Sequence, residues 1–275
     1  MARLKTLDLS ETSAAVITNT SFGAFRNSSI ECIDLSINFL YQIDACAFCG
    51  LKLKKLFLHD NRLLHVDVAL NSLYGLRGLS MDMINLHSIG NKWMELSYNL
   101  NQKLLSYLSE ICLTTFILSK SSVSWVNYHF FTKPSAFRQC IQNLDFSSNI
   151  LRGDIRSLEL LHNMFNLKTL NLGDQRVYSL SKAACVLNED MEYCHNRGFY
   201  HQHVAGLTLN FTLPSTMTQL NFSGSSNYFN DPPSMIGIQN AHQLKILDIS
   251  YGSLGSCNTT ITGLNNVQVR EISRF

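Results

Sequence analysis

No stretch of this chain approaches 18 apolar residues without a charge, so nothing in it reads as a membrane-spanning helix. Its opening, Met1-Ala2-Arg3, runs straight into Leu4-Lys5-Thr6-Leu7 with no apolar leader core. There is no surplus of charge: 22 basic residues stand against 20 acidic ones. A general polyanion binder needs a basic excess or stripe, so that class is set aside. Catalytic signatures are missing as well. No Gly-x-Ser-x-Gly elbow, His-Glu-x-x-His pair or phosphate-cradling glycine loop occurs. Ser, His and Asp are scattered without a frame. Neither enzymatic activity nor a cofactor is expected.

What is present is a large apolar share, 45% of 275 residues, enough to bury a substantial core. Eight cysteines occur, an even number. Five Asn-x-Ser/Thr acceptor sites begin at Asn19, Asn27, Asn210, Asn221 and Asn258. Cysteines and acceptor sites together point to a secreted or lumenal compartment.

One frame recurs along the chain: apolar, two variable residues, apolar, one variable, apolar. The copies are Leu4-Leu7-Leu9, Ile30-Ile33-Leu35, Leu53-Leu56-Leu58, Leu76-Leu79-Met81 and Leu113-Phe116-Leu118. They continue with Ile141-Leu144-Phe146, Leu167-Leu170-Leu172, Met217-Leu220-Phe222 and Leu244-Leu247-Ile249, and a partial tenth begins at Leu264. Successive copies start 26, 23, 23, 37, 28, 26, 50 and 27 residues apart. This is the frame of a leucine-rich repeat. Alternate residues of a short strand face one side, so the two apolar residues near the strand face inward and those between them face out. A single coil cannot bury its apolar edge; it must stack on neighbours, and the strands then form one parallel sheet. The expected architecture is an α/β leucine-rich-repeat solenoid, a curved horseshoe with the parallel sheet on its concave face and loops and short helices on its convex face.

Asn38, Asn61 and Asn149 fall where a buried amide can bond backbone groups of the next coil. Elsewhere that place holds Thr12, Ile84, Ser121, Gln175, Ser225 or Gly252, so the ladder is patchy. The two long steps have separate readings. Trp93, Leu96, Leu100, Leu104 and Leu108 keep helical spacing and predict a convex-side helix. The 50-residue step is read as an insertion at about 185–212. Val204-Leu207-Leu209 matches the frame, but Met217 follows too soon for another coil to close. One solenoid domain over 1–275 is expected, cut inside a repeat at both ends.

Leu4-Lys5-Thr6-Leu7-Asp8-Leu9-Ser10, Ile33-Asp34-Leu35-Ser36-Ile37-Asn38, Leu144-Asp145-Phe146-Ser147-Ser148-Asn149 and Leu213-Pro214-Ser215-Thr216-Met217-Thr218-Gln219-Leu220 resemble the ectodomain of Toll-like receptors. Uneven coils and a Cys-containing insertion strengthen the resemblance. It implies the ligand-recognition part of an innate immune receptor, facing the cell exterior or the endosomal lumen, within a single-pass protein that dimerises to signal. The ligand it implies is a protein, a lipid or a nucleic acid. A secreted or cell-surface adhesion or matrix-binding protein is the alternative, because such proteins share the coil.

Among outward positions, Phe57 and His59 beside Lys55 form the least routine patch; Ser80 and Asp82 join them on the next coil as candidate ligand contacts. Lys5, Asp8, Asp34, Ile117, Asp145, Asn171, Asn221 and Asp248 are further outward positions, although Asp is ordinary there. Cys112 and Cys140 each immediately precede the first apolar residue of their strand. On neighbouring coils they would lie about 4.8 Å apart, within disulfide range, although equivalent Cβ vectors run parallel. A second bridge, Cys185–Cys194, would close the insertion. Cys194, His195, His201 and His203 fit no zinc spacing, and no metal is expected. Asn221 faces outward, so a sugar there would shield Asp248 and shift binding to a lateral face or to the coils around Phe57.

Overall fold

The structure is a computed structural model that describes residues 4–90, 98–127, 130, 133–151, 161, 163–175, 208–224, 235–248, 260–264 and 267–270. Ten short strands, one per coil, form a single parallel sheet in chain order. In the first to fifth coils they are Thr6–Asp8, Cys32–Asp34, Lys55–Phe57, Ser80–Asn85 and Cys112–Ile117. In the sixth to tenth they are Asn143–Asp145, Thr169–Asn171, Gln219–Asn221, Ile246–Asp248 and Gln268–Arg270. The chain is a leucine-rich-repeat solenoid. Its core is the stacked apolar frame: Ile33, Leu56, Phe116, Leu144, Leu170 and Leu220 are all buried under the sheet. Burial of each such side chain contributes about 1.5–3 kcal/mol.

The fourth coil departs from expectation. Its strand pairs Lys55 with Met83, Leu56 with Ile84 and Phe57 with Asn85, and on the other side Ile84 with Phe116. The inward frame there is Met81-Ile84-Leu86, not Leu76-Leu79-Met81. The steps around it become 28 and 32 residues rather than 23 and 37. Ile89, not Ile84, then holds the Asn place, and it is buried.

The Asn ladder reaches the preceding coil rather than the next one. Asn38 Oδ1 accepts from the backbone N–H of Thr12 (3.0 Å) and Ala14 (2.9 Å), and its Nδ2 donates to the carbonyls of Leu9 and Leu35. Asn61 accepts from Leu40 and donates to Leu35 and Leu58. Asn149 accepts from Ser121 and Val123 and donates to Leu118 and Phe146. Gln175 performs the same task with a longer arm, accepting from Leu151 and donating to Phe146 and Leu172. Ser121 covers part of it: its hydroxyl accepts from Ile89 and lies against the Leu86 and Ser119 carbonyls. Each buried backbone group so paired avoids a cost of about 1–3 kcal/mol.

The residue before the ladder position is left-handed in coil after coil: Glu11, Ile37, Asp60, Ser88, Lys120, Ser148 and Asp174, all with φ between 54 and 60°. In the eighth coil Gly224 takes the place at φ 65°. Ile37 is β-branched, and that geometry strains it.

On the far side, short outer strands pair in parallel: Val16–Ile17 with Gln42–Ile43, Tyr98–Leu100 with Val123–Val126, and Thr208–Thr212 with Met235–Gln239 and then Thr260–Thr262. Of the helix expected over 93–111, Trp93 and Leu96 lie outside the described residues, and the described part is helical only at its end. Leu100 lies in an outer strand, and helix α2 runs Gln102–Ser109. Asn101 stops it at the front by accepting the Leu104 N–H at 3.0 Å. It packs against α1, Val66–Ser72, and the 3₁₀ turn that follows, where Tyr74 meets Tyr107 edge to face. The seventh strand pairs directly with the eighth, Leu170 opposite Leu220. The 50-residue step therefore adds no strand to the main sheet between them. Thr208–Thr212, within the span expected to be an insertion, belongs to a regular outer strand.

Two disulfides close parts of the wall. Cys112, at the head of the fifth strand, joins Cys140, at the end of helix α3 (Ala136–Cys140), with Cα atoms 5.2 Å apart. Cys46–Cys49 closes a tight convex turn with Cα atoms 4.9 Å apart. That turn packs so closely on the third coil that a Cβ on Gly75 would lie 2.7 Å from the Cys49 nitrogen. Cys185 and Cys194 lie outside the described residues.

Candidate functional site: the outward face of the sheet

Each described coil presents three residues outward, two from its strand and one just beyond it. In the third coil they are Lys55, Phe57 and His59, so three of the sequence candidates share one face. The remaining two do not join them. Ser80 and Asp82 belong to the shifted frame; the outward positions of the fourth coil are Met83, Asn85 and His87. Ser80 sits at the head of its strand opposite Cys112, its hydroxyl 3.8 Å from the Cys112 sulfur. Asp82 matches Lys54, at the leading margin. Lys5 is marginal too: it and Lys54 clasp Glu31 at 3.1 and 3.2 Å. Those bonds hold the Glu31 carboxyl below its usual pKa, but exposed pairs of this kind contribute little.

The central outward column runs Asp8, Asp34, Phe57, Asn85, Ile117, Asp145, Asn171, Asn221 and Asp248. Most of its Asp and Asn residues have a local task. Asp34 Oδ1 accepts from Ser36 N–H at 2.9 Å and Ser36 Oγ at 2.6 Å. Asp145 accepts from Ser147 N–H, Asn85 from His87, Asn171 from Gly173 and Asn221 from Ser223. The recurring Asp or Asn thus fastens the chain as it leaves the sheet. The same bonds from Ser10 keep the Asp8 carboxyl below its ordinary pKa.

Phe57 and Ile117 interrupt this column. Beside them Met83 and the imidazoles of His59 and His87 complete an apolar and aromatic centre. Phe57 and His59 meet edge to face at 6.3 Å. His59 Nδ1 donates to Asp60 Oδ2 at 3.1 Å, while His87 Nδ1 and Ser119 Oγ share a bond of 2.7 Å. Burial would raise the Asp60 carboxyl, but the hydrogen bonds from His59 and Ser88 outweigh it and hold it low. Burial depresses the His87 imidazole against the pull of Asp60, and Lys120 adds to the depression. Met83, Asn85 and His87 escaped the sequence reading; the more even 28- and 32-residue steps were the signal for them.

Further along, a trough of about 390 Å³ crosses the fifth to ninth coils, with Thr115, Asn143, Thr169 and Asn171 among its lining. Thr115, Asn143 and Thr169 are joined in a side-chain ladder. Asn221 lines the same trough, half-buried, so its sugar acceptor nitrogen lies in the sheet face. The other acceptor sites lie elsewhere. Asn19 is exposed on the convex side, its Oδ1 accepting the Cys46 N–H; Asn27 is exposed in a left-handed turn; Asn210 is exposed on an outer strand. Asn258 lies outside the described residues. Cys32, in the second strand, is a free thiol whose pKa is raised by burial. One flank carries exposed Ile37, Phe39 and Tyr41.

No family model matches the chain, and no curated protein does. Among solved structures, it is similar to the TLR13–ssRNA13 complex with TM-score 0.48 and 18% identity, over 94% of this chain and 41% of that one. It is similar to the mouse RP105/MD-1 complex with TM-score 0.42 and 13% identity, over 98% and 46%. A leucine-rich-repeat protein of Leptospira interrogans gives TM-score 0.36 and 15% identity, over 98% and 74%. The chain spans less than half the length of the first two. The architecture rests on the strand pairing and the ladder, not on these likenesses.

Among the described residues there is no group of His, Cys, Asp and Glu able to hold a metal, and no helix is long and apolar enough to cross a membrane.

Proposed function

We propose that this chain is the ligand-recognition part of a Toll-like receptor ectodomain, which binds a ligand on its open sheet and acts by dimerising. One observation carries the reading: a ten-stranded sheet, pinned from behind by buried amides and clamped by the Cys112–Cys140 disulfide, presents its central side chains outward. Such a face is rigid, so little ordering cost opposes binding. Disulfides suit an extracellular or endosomal-lumen setting. The outward side chains of the sheet offer a surface on which a ligand can bind, and the reading is one of action by binding. The uneven coils and the Leu213-Pro214 opening of the eighth coil add the Toll-like resemblance. Sequencing the complete transcript tests the proposal. A transmembrane helix followed by a Toll/interleukin receptor domain is the expected result. A secreted product, or one with an unrelated cytoplasmic part, would move the chain to the adhesion and matrix-binding class.

A further inference from the structure

We infer that the middle of the sheet face, over the second to sixth coils, binds an extended polypeptide segment that presents apolar side chains between basic ones. The inference rests on the recognition reading above and names the class of ligand.

The apolar part is the break in the Asp/Asn column. Phe57 and Ile117 stand where neighbouring coils place a hydrogen-bonding residue, and Met83 flanks them. Nothing in coil folding requires this, because Asn85, between them, still makes the local bond. An aromatic and aliphatic centre with a polar rim is the anatomy of a protein-binding hot spot.

The rim sets the charge of the occupant. Asp34 lies one coil before Phe57, and Asp145 one coil after Ile117. Both local bonds of Asp34 use Oδ1, as does that of Asp145. Their Oδ2 atoms keep acceptor capacity for a partner, and among the described residues no ion pair engages either carboxylate. Over these five coils the central column carries no cation; Lys55 stands in the flanking column, Lys54 at the leading margin is paired with Glu31, and Lys120 lies at the other margin. A polyanion laid along this column meets like charge; a basic segment meets its complement.

The spacing selects an extended chain. Asp34 and Asp145 are four strands apart, about 19 Å at the usual strand spacing. Two residues six apart in an extended chain lie on the same side, about 20 Å from one another. The intervening same-side residues then fall near Phe57 and Ile117. The pattern is basic-x-apolar-x-apolar-x-basic.

The experiment selects a phage-displayed random heptapeptide library on the secreted chain, then measures the synthetic winners against three variants. Asp34→Asn and Asp145→Asn remove charge while keeping the local bond that Asn85, Asn171 and Asn221 make naturally; Phe57→Asn fills the break. Enriched peptides with paired basic residues should lose about tenfold in affinity in each variant, and the loss in the Asp variants should shrink at high salt. Winners indifferent to all three variants, acidic winners, or no enrichment would overturn the inference. A polyuridylate arm separates this failure from failure of the recognition reading. If polyuridylate binds and Phe57→Asn abolishes it, recognition stands while the peptide ligand falls.

Discussion

The second and third coils hold themselves together differently from the fourth and fifth. In the former, Asn38 and Asn61 lie behind the sheet, and each amide satisfies several backbone groups of its own and the preceding coil. In the latter, the long fourth coil makes room for helix α2, Ile89 takes the ladder place as plain apolar filling, and Ser121 supplies a shorter polar link. A disulfide and a cluster of phenylalanines compensate. Phe116 touches Phe137 and Phe146 edge to face at 6.1 and 6.0 Å. The second and third coils thus carry an amide of their own behind the sheet, whereas the fourth and fifth carry none and lean on packing, the Cys112–Cys140 clamp and Asn149 of the sixth coil.

If that contrast holds, the largest loss comes from the phenylalanine cluster. Phe116→Ala should cost about 4 kcal/mol in denaturant unfolding and Leu56→Ala in the third coil about 3; equal costs would break the contrast. Removing the clamp comes next. Cys112→Ala with Cys140→Ala opens a loop with a sequence separation of 28 and should cost about 3.5 kcal/mol in the chain-entropy account. Loss of Cys46–Cys49, separated by 3 residues, should cost about 2. Asn38→Ala should cost about 3 kcal/mol, since it orphans buried donors and acceptors together, against about 1 for Ser121→Ala. A larger effect at Ser121 would mean the polar link dominates in both regions.

Two smaller effects sharpen the picture. Ile37→Asn should stabilise the protein by about 1 kcal/mol, because Asn accepts the left-handed turn that strains a β-branched residue; an unchanged unfolding midpoint would show that the turn relaxes instead. The last is pH-dependent. Folded His87 binds a proton less readily than the unfolded residue. Unfolding therefore takes up a proton as pH falls below about 6.5, and stability declines there. Folded Asp60 holds its charge to lower pH than usual, so its stabilisation is complete above about 4 and is lost as pH falls from there through the depressed folded pKa. His87→Gln should flatten the unfolding midpoint between pH 7 and 5 while leaving the more acidic decline in place.

The regularly spaced coils were legible because inward residues repeat at fixed offsets, and the mid-strand residues Ile33, Leu56 and Leu144 could be placed without coordinates. The pairing of Cys112 with Cys140 was legible for the same reason, since both stand one residue before the frame. The fourth coil was not. Leu76-x-x-Leu79-x-Met81 and Met81-x-x-Ile84-x-Leu86 satisfy the same pattern, and only hydrogen bonding to the third and fifth strands selects the second. That choice moved the candidate contacts from Ser80 and Asp82 to Met83, Asn85 and His87. Helix α2 began later than its apolar spacing suggested, because Asn101 caps it and Leu100 is drawn into an outer strand.

Residue order alone dictated that this protein is a stack of coils sharing one parallel sheet, because an apolar frame repeated nine times has no other way to leave water. The register of the fourth strand, the direction of the amide ladder and the Cys46–Cys49 turn were settled only in three dimensions. The register and the ladder depend on which backbone groups of a neighbouring coil come within about 3 Å, and the turn on the Asn19 side chain of the preceding coil that accepts the Cys46 N–H; the packing between coils sets those distances, not the order of residues within one.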